Sequence, residues 1–183
     1  LPMSMKYLGL NPDSHEDEDI AKAEEALLAI RPYIQKFHSS EYIQALANGD
    51  ICVAVGWSGD ILQARDRAVE AENGVEIAFN APKEGAQMWF DQMAIPVDAP
   101  NVDGAHKFLN FIMDAENMAA ASNYVYYANG NKASQEFLIE DVMGDPAIYP
   151  SAETLDNLFT TTPYAPKVQR VVTRAWTKIK SGI

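Results

Sequence analysis

Asn48-Gly49-Asp50-Ile51-Cys52-Val53-Ala54-Val55-Gly56-Trp57-Ser58-Gly59-Asp60 is where the fold of this chain is written most densely. Five consecutive apolar residues, Ile51 to Val55, stand between Gly49-Asp50 and Gly56 and predict a short strand buried on both faces. After it, Gly56 and Gly59 bracket Trp57 and Ser58, and Asp60 reads as the N-cap of an amphipathic run beginning at Ile61. A strand running through a glycine-rich turn into a helix places the turn outside the carboxyl end of the strand, where open α/β sheets bind ligands. Trp57 and Asp60 are therefore candidate site residues, against the plainer readings of a core tryptophan and a helix cap.

Outward from this stretch, the chain alternates helices and short apolar segments. The opening helix stops at Gly9, and Asn11-Pro12-Asp13-Ser14 is a turn. His15-Glu16-Asp17-Glu18-Asp19 then feeds a helix whose apolar residues Ile20, Ala23, Leu27 and Ile30 recur at helical spacing, with Pro32 ending it near Arg31. The acidic run reads as a solvated helix start, since it lacks the alternating ligands and the glycine of a calcium loop. Ser39 and Ser40 precede a helical run from Glu41 to Ala47. Val75 to Ala81 and Gln87 to Pro96 read as strands, the second carrying Trp89, Phe90 and Asp91; an acid embedded in an apolar strand needs a cationic or hydrogen-bonding partner. A helix from Val102 to Met113 follows, with Ala105, Phe108, Leu109 and Ile112 on one face, and Asp114 starts another. Tyr124, Tyr126 and Tyr127 cluster before Ala128-Asn129-Gly130-Asn131. The last helix, near Lys167–Lys180, turns Val168, Val171, Val172, Ala175 and Ile179 inward.

With 183 residues, 14 basic and 26 acidic side chains and a formal net charge of −12, the chain is unsuited to nucleic acid or an anionic membrane and compatible with a cationic ligand. Cys52, the sole cysteine, sits in the predicted buried strand and reads as an inert core residue. His15, His38 and His106 are too scattered for a zinc site, and no GxSxG, GxxxxGK[ST] or GxGxxG pattern occurs, so neither metal nor cofactor is expected. What remains is a pair of carboxylates, Asp60 and Asp91, among aromatic residues. This admits a binding module for a diamine or polyamine, or a glycoside hydrolase using the two acids. An amino-acid receptor would want an arginine clamp.

Four segments decide among these by resemblance. LANGDICVAVGWSGD (46–60), NGVEIAFNAPKEGAQMWFDQMAIP (73–96), NYVYYANGNKAS (123–134) and VTRAWTKIKSG (172–182) closely resemble the matching parts of bacterial periplasmic polyamine-binding proteins, the putrescine and spermidine receptors of ABC importers. No arginine lies in the three segments that would carry the pocket. The resemblance implies an α/β, periplasmic-binding-protein-like (type II) fold of two lobes, of which this chain is the carboxyl-terminal half, the amino-terminal half being absent. It implies that residues 1–84 belong to the second lobe, that 85–130 return to the first, and that 131–183 pack on the second. It further implies a non-enzymatic periplasmic receptor with a polyamine ligand, a membrane ABC permease and the missing amino-terminal half as partners. The ligand-binding residues carried over are Ser39, Trp57, Asp60, Trp89, Asp91 and Tyr127. Any disulfide partner of Cys52 would lie in the missing half. The chain departs from the pattern where a lysine near the pocket is replaced by Thr162 or a neighbour, and an acidic residue used by some members falls just upstream of Leu1.

Overall fold

A computed structural model describes residues 1–182. Its α-helices, in chain order, are α1 (Pro2–Tyr7), α2 (Asp17–Ile30), α3 (Glu41–Ala47), α4 (Ser58–Glu70), α5 (Val102–Met113), α6 (Ala115–Val125), α7 (Glu140–Met143), α8 (Ala152–Asn157) and α9 (Pro166–Ser181), with 3-10 turns at Arg31–Tyr33 and Lys132–Phe137. The chain separates into two compact units. One comprises Leu1–His38, Ala81–Trp89 and the chain from Ala152 on; the other comprises Ser39–Asn80 and Phe90–Ser151. These cuts fall elsewhere than the bounds at 84/85 and 130/131, which concern the lobes of a complete receptor.

In the first unit, α2 packs on α1 and α9 around Met5, Ile20, Ala23 and Ala175, with Val168, Val171 and Val172 against them. Ile179 is fully buried as well, so the inward stripe expected of the last helix is the one observed. Pro166 opens α9, where its missing N–H costs nothing, and Gly182 closes it in the left-handed region at φ 76°. The acidic run forms the first turn of α2, where Asp17, Glu18 and Asp19 suit the helix dipole, and Glu18 pairs with Lys22 at 2.8 Å.

In the second unit, α4 is the central helix. Ile61 and Ala64 pack with Tyr42, Leu46 and Ala47 of α3, and Leu62 packs with Val142 and Ile148 from the segment after α6. Arg65 of α4 adds an ion pair to Asp145 at 3.1 Å. The loop after α6 is held by Asn129, which donates to Ser122 Oγ at 2.8 Å and accepts from Ser134 Oγ at 2.9 Å.

The three predicted strands are not laddered. Among the described residues, β pairing is confined to an isolated parallel bridge between Gln87 and Phe159 in the first unit. Apolar runs report a demand for burial, whereas a strand also needs a neighbour to take its backbone N–H and C=O groups. Neither 51–55 nor 75–81 finds such a neighbour here. Ile51 and Ala54, with Ile77 and Phe79, instead lean on the α3–α4 cluster, while Val53 and Val55 are 85% and 91% exposed. Cys52 is likewise exposed, not buried in a core. The same one-sidedness affects α5: its sequence is strongly amphipathic, yet no residue in it is buried and Phe108 lies open.

Candidate functional site: a clamped carboxylate at the start of α4

The helix after the glycine-rich turn begins three residues earlier than its sequence suggests. Trp57 occupies the cap position, in the β region of backbone space and without a capping side-chain bond, and Asp60 sits inside the first turn of α4. Asp60 is thus not the N-cap. The reason lies in two tyrosines that take over the capping work. The Trp57 N–H donates to the Tyr42 hydroxyl oxygen and the Asp60 N–H to the Tyr127 hydroxyl oxygen, each at 3.3 Å. With those donors satisfied, the Asp60 carboxylate is free to act as an acceptor. Tyr42 donates to its Oδ2 at 2.5 Å and Tyr127 to its Oδ1 at 2.9 Å.

Both tyrosines reach α4 because glycine lets them. A Cβ at Gly59 would lie 2.3 Å from Cε2 of Tyr127, and one at Gly56 would lie 2.5 Å from Cε2 of Tyr42. The glycines flanking Trp57 therefore serve close approach of an aromatic ring to the backbone. Tyr127 is aimed by its neighbour. Tyr126 closes α6 in the left-handed region at φ 60°, uncommon for a bulky residue, and this turn directs the chain back toward α4. Gln63 of α4 also donates to the Val125 carbonyl at 3.4 Å.

Burial, followed by the bond to Asp60, pushes the Tyr42 hydroxyl from its ordinary 10.0 up to about 12. The same two causes, in the same order, push Tyr127 upward. Both phenols stay protonated donors through the neutral range. They are also uncharged, so they orient the carboxylate without neutralising it. A negative charge held in place, three residues after a tryptophan that is 49% exposed, can accept a cation carrying an apolar stem.

The structure joins Tyr127 to Asp60 by a hydrogen bond and sets Trp57 at the cap position three residues before Asp60. Trp57 is not a core plug, and the Tyr127 hydroxyl is spent on Asp60, which leaves its ring for other contacts. Ser39 is exposed in the second unit, one residue before the cap position of α3. Asp91 is exposed as well, so it is not the embedded acid that an apolar strand implied; with no ladder around it, the segment does not enclose it. Trp89 is exposed and belongs to the first unit. Thr162, also in the first unit, is tied to Asp13 by its N–H at 2.7 Å and meets His15 Nε2 through its hydroxyl at 3.2 Å. Sequence reasoning missed Tyr42. Its trace in the sequence is Gly56, whose bare backbone accommodates the ring, but a glycine does not name its partner.

The chain as a whole has relatives among known proteins. Over 182 residues, all of this chain and 50% of the relative, it is 50% identical to a putrescine-binding periplasmic protein of Pseudomonas aeruginosa. It is also 50% identical over 179 residues to a putrescine-binding periplasmic protein of Escherichia coli, covering 97% of this chain and 48% of that one. The chain spans about half the length of the curated relatives it matches. Among solved structures, the substrate-binding protein of a spermidine/putrescine ABC transporter from Streptococcus pneumoniae superposes with a TM-score of 0.77 at 26% identity, over 98% of this chain and 54% of that one. The fold is thus that of the periplasmic substrate-binding proteins, present here over about half its length, and none of these relatives is a glycoside hydrolase. The family model for bacterial extracellular solute-binding proteins matches residues 2–150, and the chain belongs to that family.

Proposed function

We propose that this chain is part of the periplasmic substrate-binding component of a polyamine ABC importer, a receptor that binds putrescine or spermidine and delivers it to a membrane permease. The observation that carries this reading is the Asp60 carboxylate, fixed by two neutral phenols, three residues after the half-exposed Trp57. A terminal ammonium is strongly hydrated, and its desolvation is offset only by acceptors of opposite charge. A methylene stem is covered by aromatic faces, which add cation–π attraction. Asp60 meets the first need and Trp57 the second. The chain's acidic balance, net −12, favours encounter with a cation.

Asp91 as the acceptor for a second ammonium, Ser39 as a polar contact and Trp89 and the Tyr127 ring as further aromatic surfaces enter the proposal on the resemblance. The lobe assignment of 1–84, 85–130 and 131–183 is part of the same proposal, as is a receptor half beyond this chain, required to complete the binding cleft. Calorimetric titration of the full-length protein with putrescine and with spermidine tests the reading. Saturable binding of either supports it, and failure of both to bind overturns it.

A further inference from the structure

The Tyr42 hydroxyl makes two bonds, and they lead to two different site residues. It accepts the backbone N–H of Trp57 at 3.3 Å and donates to Asp60 Oδ2 at 2.5 Å. A phenol has a single proton to give, and here Asp60 takes it, so Tyr42 has no donor left for a ligand. The residue is 9% exposed and packs in the α3–α4 core with Leu46, Ala47, Ile61 and Ala64. The Gly56 backbone closes the other side, so near that an added Cβ would fall 2.5 Å from Cε2. The ring is therefore located by the core, and its oxygen in turn locates a backbone amide and a carboxylate.

We infer that Tyr42 is a positioning residue, tying the Trp57 backbone and the Asp60 carboxylate to one fixed oxygen for a ligand that carries an ammonium on an apolar stem. This rests on the polyamine reading above. Tyr42 does not touch the ligand. Without its hydroxyl, Asp60 keeps only the Tyr127 bond, and the first turn of α4 loses the acceptor of the Trp57 N–H. The ligand must then order groups that the free protein now holds ready, and affinity falls accordingly. If Tyr42 were only a core filler, phenylalanine would serve equally well, because the ring carries the packing.

The test uses the full-length protein with Tyr42→Phe, Asp60→Asn and the double variant. Calorimetry with putrescine and spermidine should show Tyr42→Phe weakening binding roughly tenfold, the size expected for a lost bond to a charged acceptor. In the Asp60→Asn background the same change should cost about twofold or less, because a residue acting through Asp60 has nothing left to act on. Wild-type affinity in Tyr42→Phe overturns the inference. So do equal losses in both backgrounds accompanied by a lowered melting temperature, the mark of a purely structural role. A ligand-free readout separates this from failure of the functional reading. Tyr42→Phe should accelerate hydrogen exchange of the Trp57 amide and move the Asp60 carboxyl carbon resonance. If the wild-type protein binds neither polyamine, the functional reading falls and these two signals decide the positioning role: movement of both upholds it, and no movement overturns it.

Discussion

Asp13 and Asp60 are both held by hydroxyl donors, and they are held differently. In the first unit, Asp13 is a latch between loops: it accepts the Thr162 N–H at 2.7 Å and the Thr162 hydroxyl at 3.0 Å, with the His15 imidazole 3.8 Å away. In the second unit, Asp60 is gripped on each oxygen by a phenol seated against a glycine. The latch spends its carboxylate on the protein's own backbone and beside a group that can carry positive charge. The grip uses two neutral side chains at a helix start and brings no positive charge of its own to the carboxylate. A carboxylate fixed by neutral donors is chemically suited to receiving a cation.

The largest effect should come from removing that charge. In the full-length protein, Asp60→Asn should cost on the order of 2–5 kcal/mol of polyamine binding, since the ligand ammonium loses its partner in a desolvated place. Calorimetry measures it, and melting temperature should move far less than affinity. Asp13→Asn should leave affinity unchanged, and an equal loss for the two would erase the contrast between them.

Next in size is Gly59→Ala. In the first turn of a helix, alanine is normally the better residue, by up to about 1 kcal/mol. Here the new methyl would meet the Tyr127 ring at 2.3 Å, and the strain of overpacking, about 1–3 kcal/mol, should outweigh that gain. Chemical denaturation of the variant should show lower stability. A stabilised variant would mean that Tyr127 yields easily and that the grip on Asp60 is soft.

Trp57 comes third. Trp57→Leu should lose roughly 1–2 kcal/mol of binding through missing area and cation–π attraction, and Trp57→Phe less, with the fold retained in both. The half-exposed indole is what makes this expectation differ from that for a core residue, whose truncation costs about 3–5 kcal/mol of stability. A Leu variant that melts early yet binds normally when folded would remove Trp57 from the site.

How far these contrasts could be foreseen depends on how local the cause is. A helix after the glycine-rich turn, the stripe of α9 and the acidic first turn of α2 follow from spacing within a few residues, and they are legible, whereas the first residue of α4 is not. Trp57 and Asp60 stand out for the same reason. The clamp does not, because Tyr42 lies 18 residues and Tyr127 67 residues away from Asp60, and nothing in either local stretch says that its hydroxyl turns to that carboxylate. The strands fail for a related reason. Ile51 to Val55 state a wish for burial, but a ladder belongs to two segments, and no second segment within the described residues supplies it. The α5 and α9 helices teach the same lesson: both are amphipathic, and only α9 meets a partner helix that covers its stripe.

At alkaline pH the grip should open on its own. Stability from a protonated Tyr42 is complete below the ordinary 10.0 and is lost as pH rises through about 12, as the phenol ionises and repels Asp60. Thermal melts between those values should show a steeper decline for the wild type than for Tyr42→Phe. Matching slopes would mean that the hydroxyl contributes no stability to α4.

The smallest effect belongs to the latch, at the opposite end of the pH scale. The Thr162 N–H, more than any other group, holds the Asp13 carboxyl below its ordinary 3.8, with the Thr162 hydroxyl and His15 adding to it. A carboxylate favoured in the folded state contributes fully above that ordinary value, and the contribution fades as pH falls through the lowered one. Asp13→Asn should therefore destabilise the protein by less than about 1 kcal/mol at neutral pH, as befits a partly exposed site, and the difference from the wild type should shrink toward zero in strong acid. Denaturation at neutral and strongly acidic pH measures this. A deficit that persists undiminished in acid would show that the asparagine disturbs loop packing and that the carboxylate charge was never what held Thr162. Asp13 would then cease to be a charged counterpart to Asp60, and the contrast would narrow to one carboxylate whose charge acts and one whose shape does.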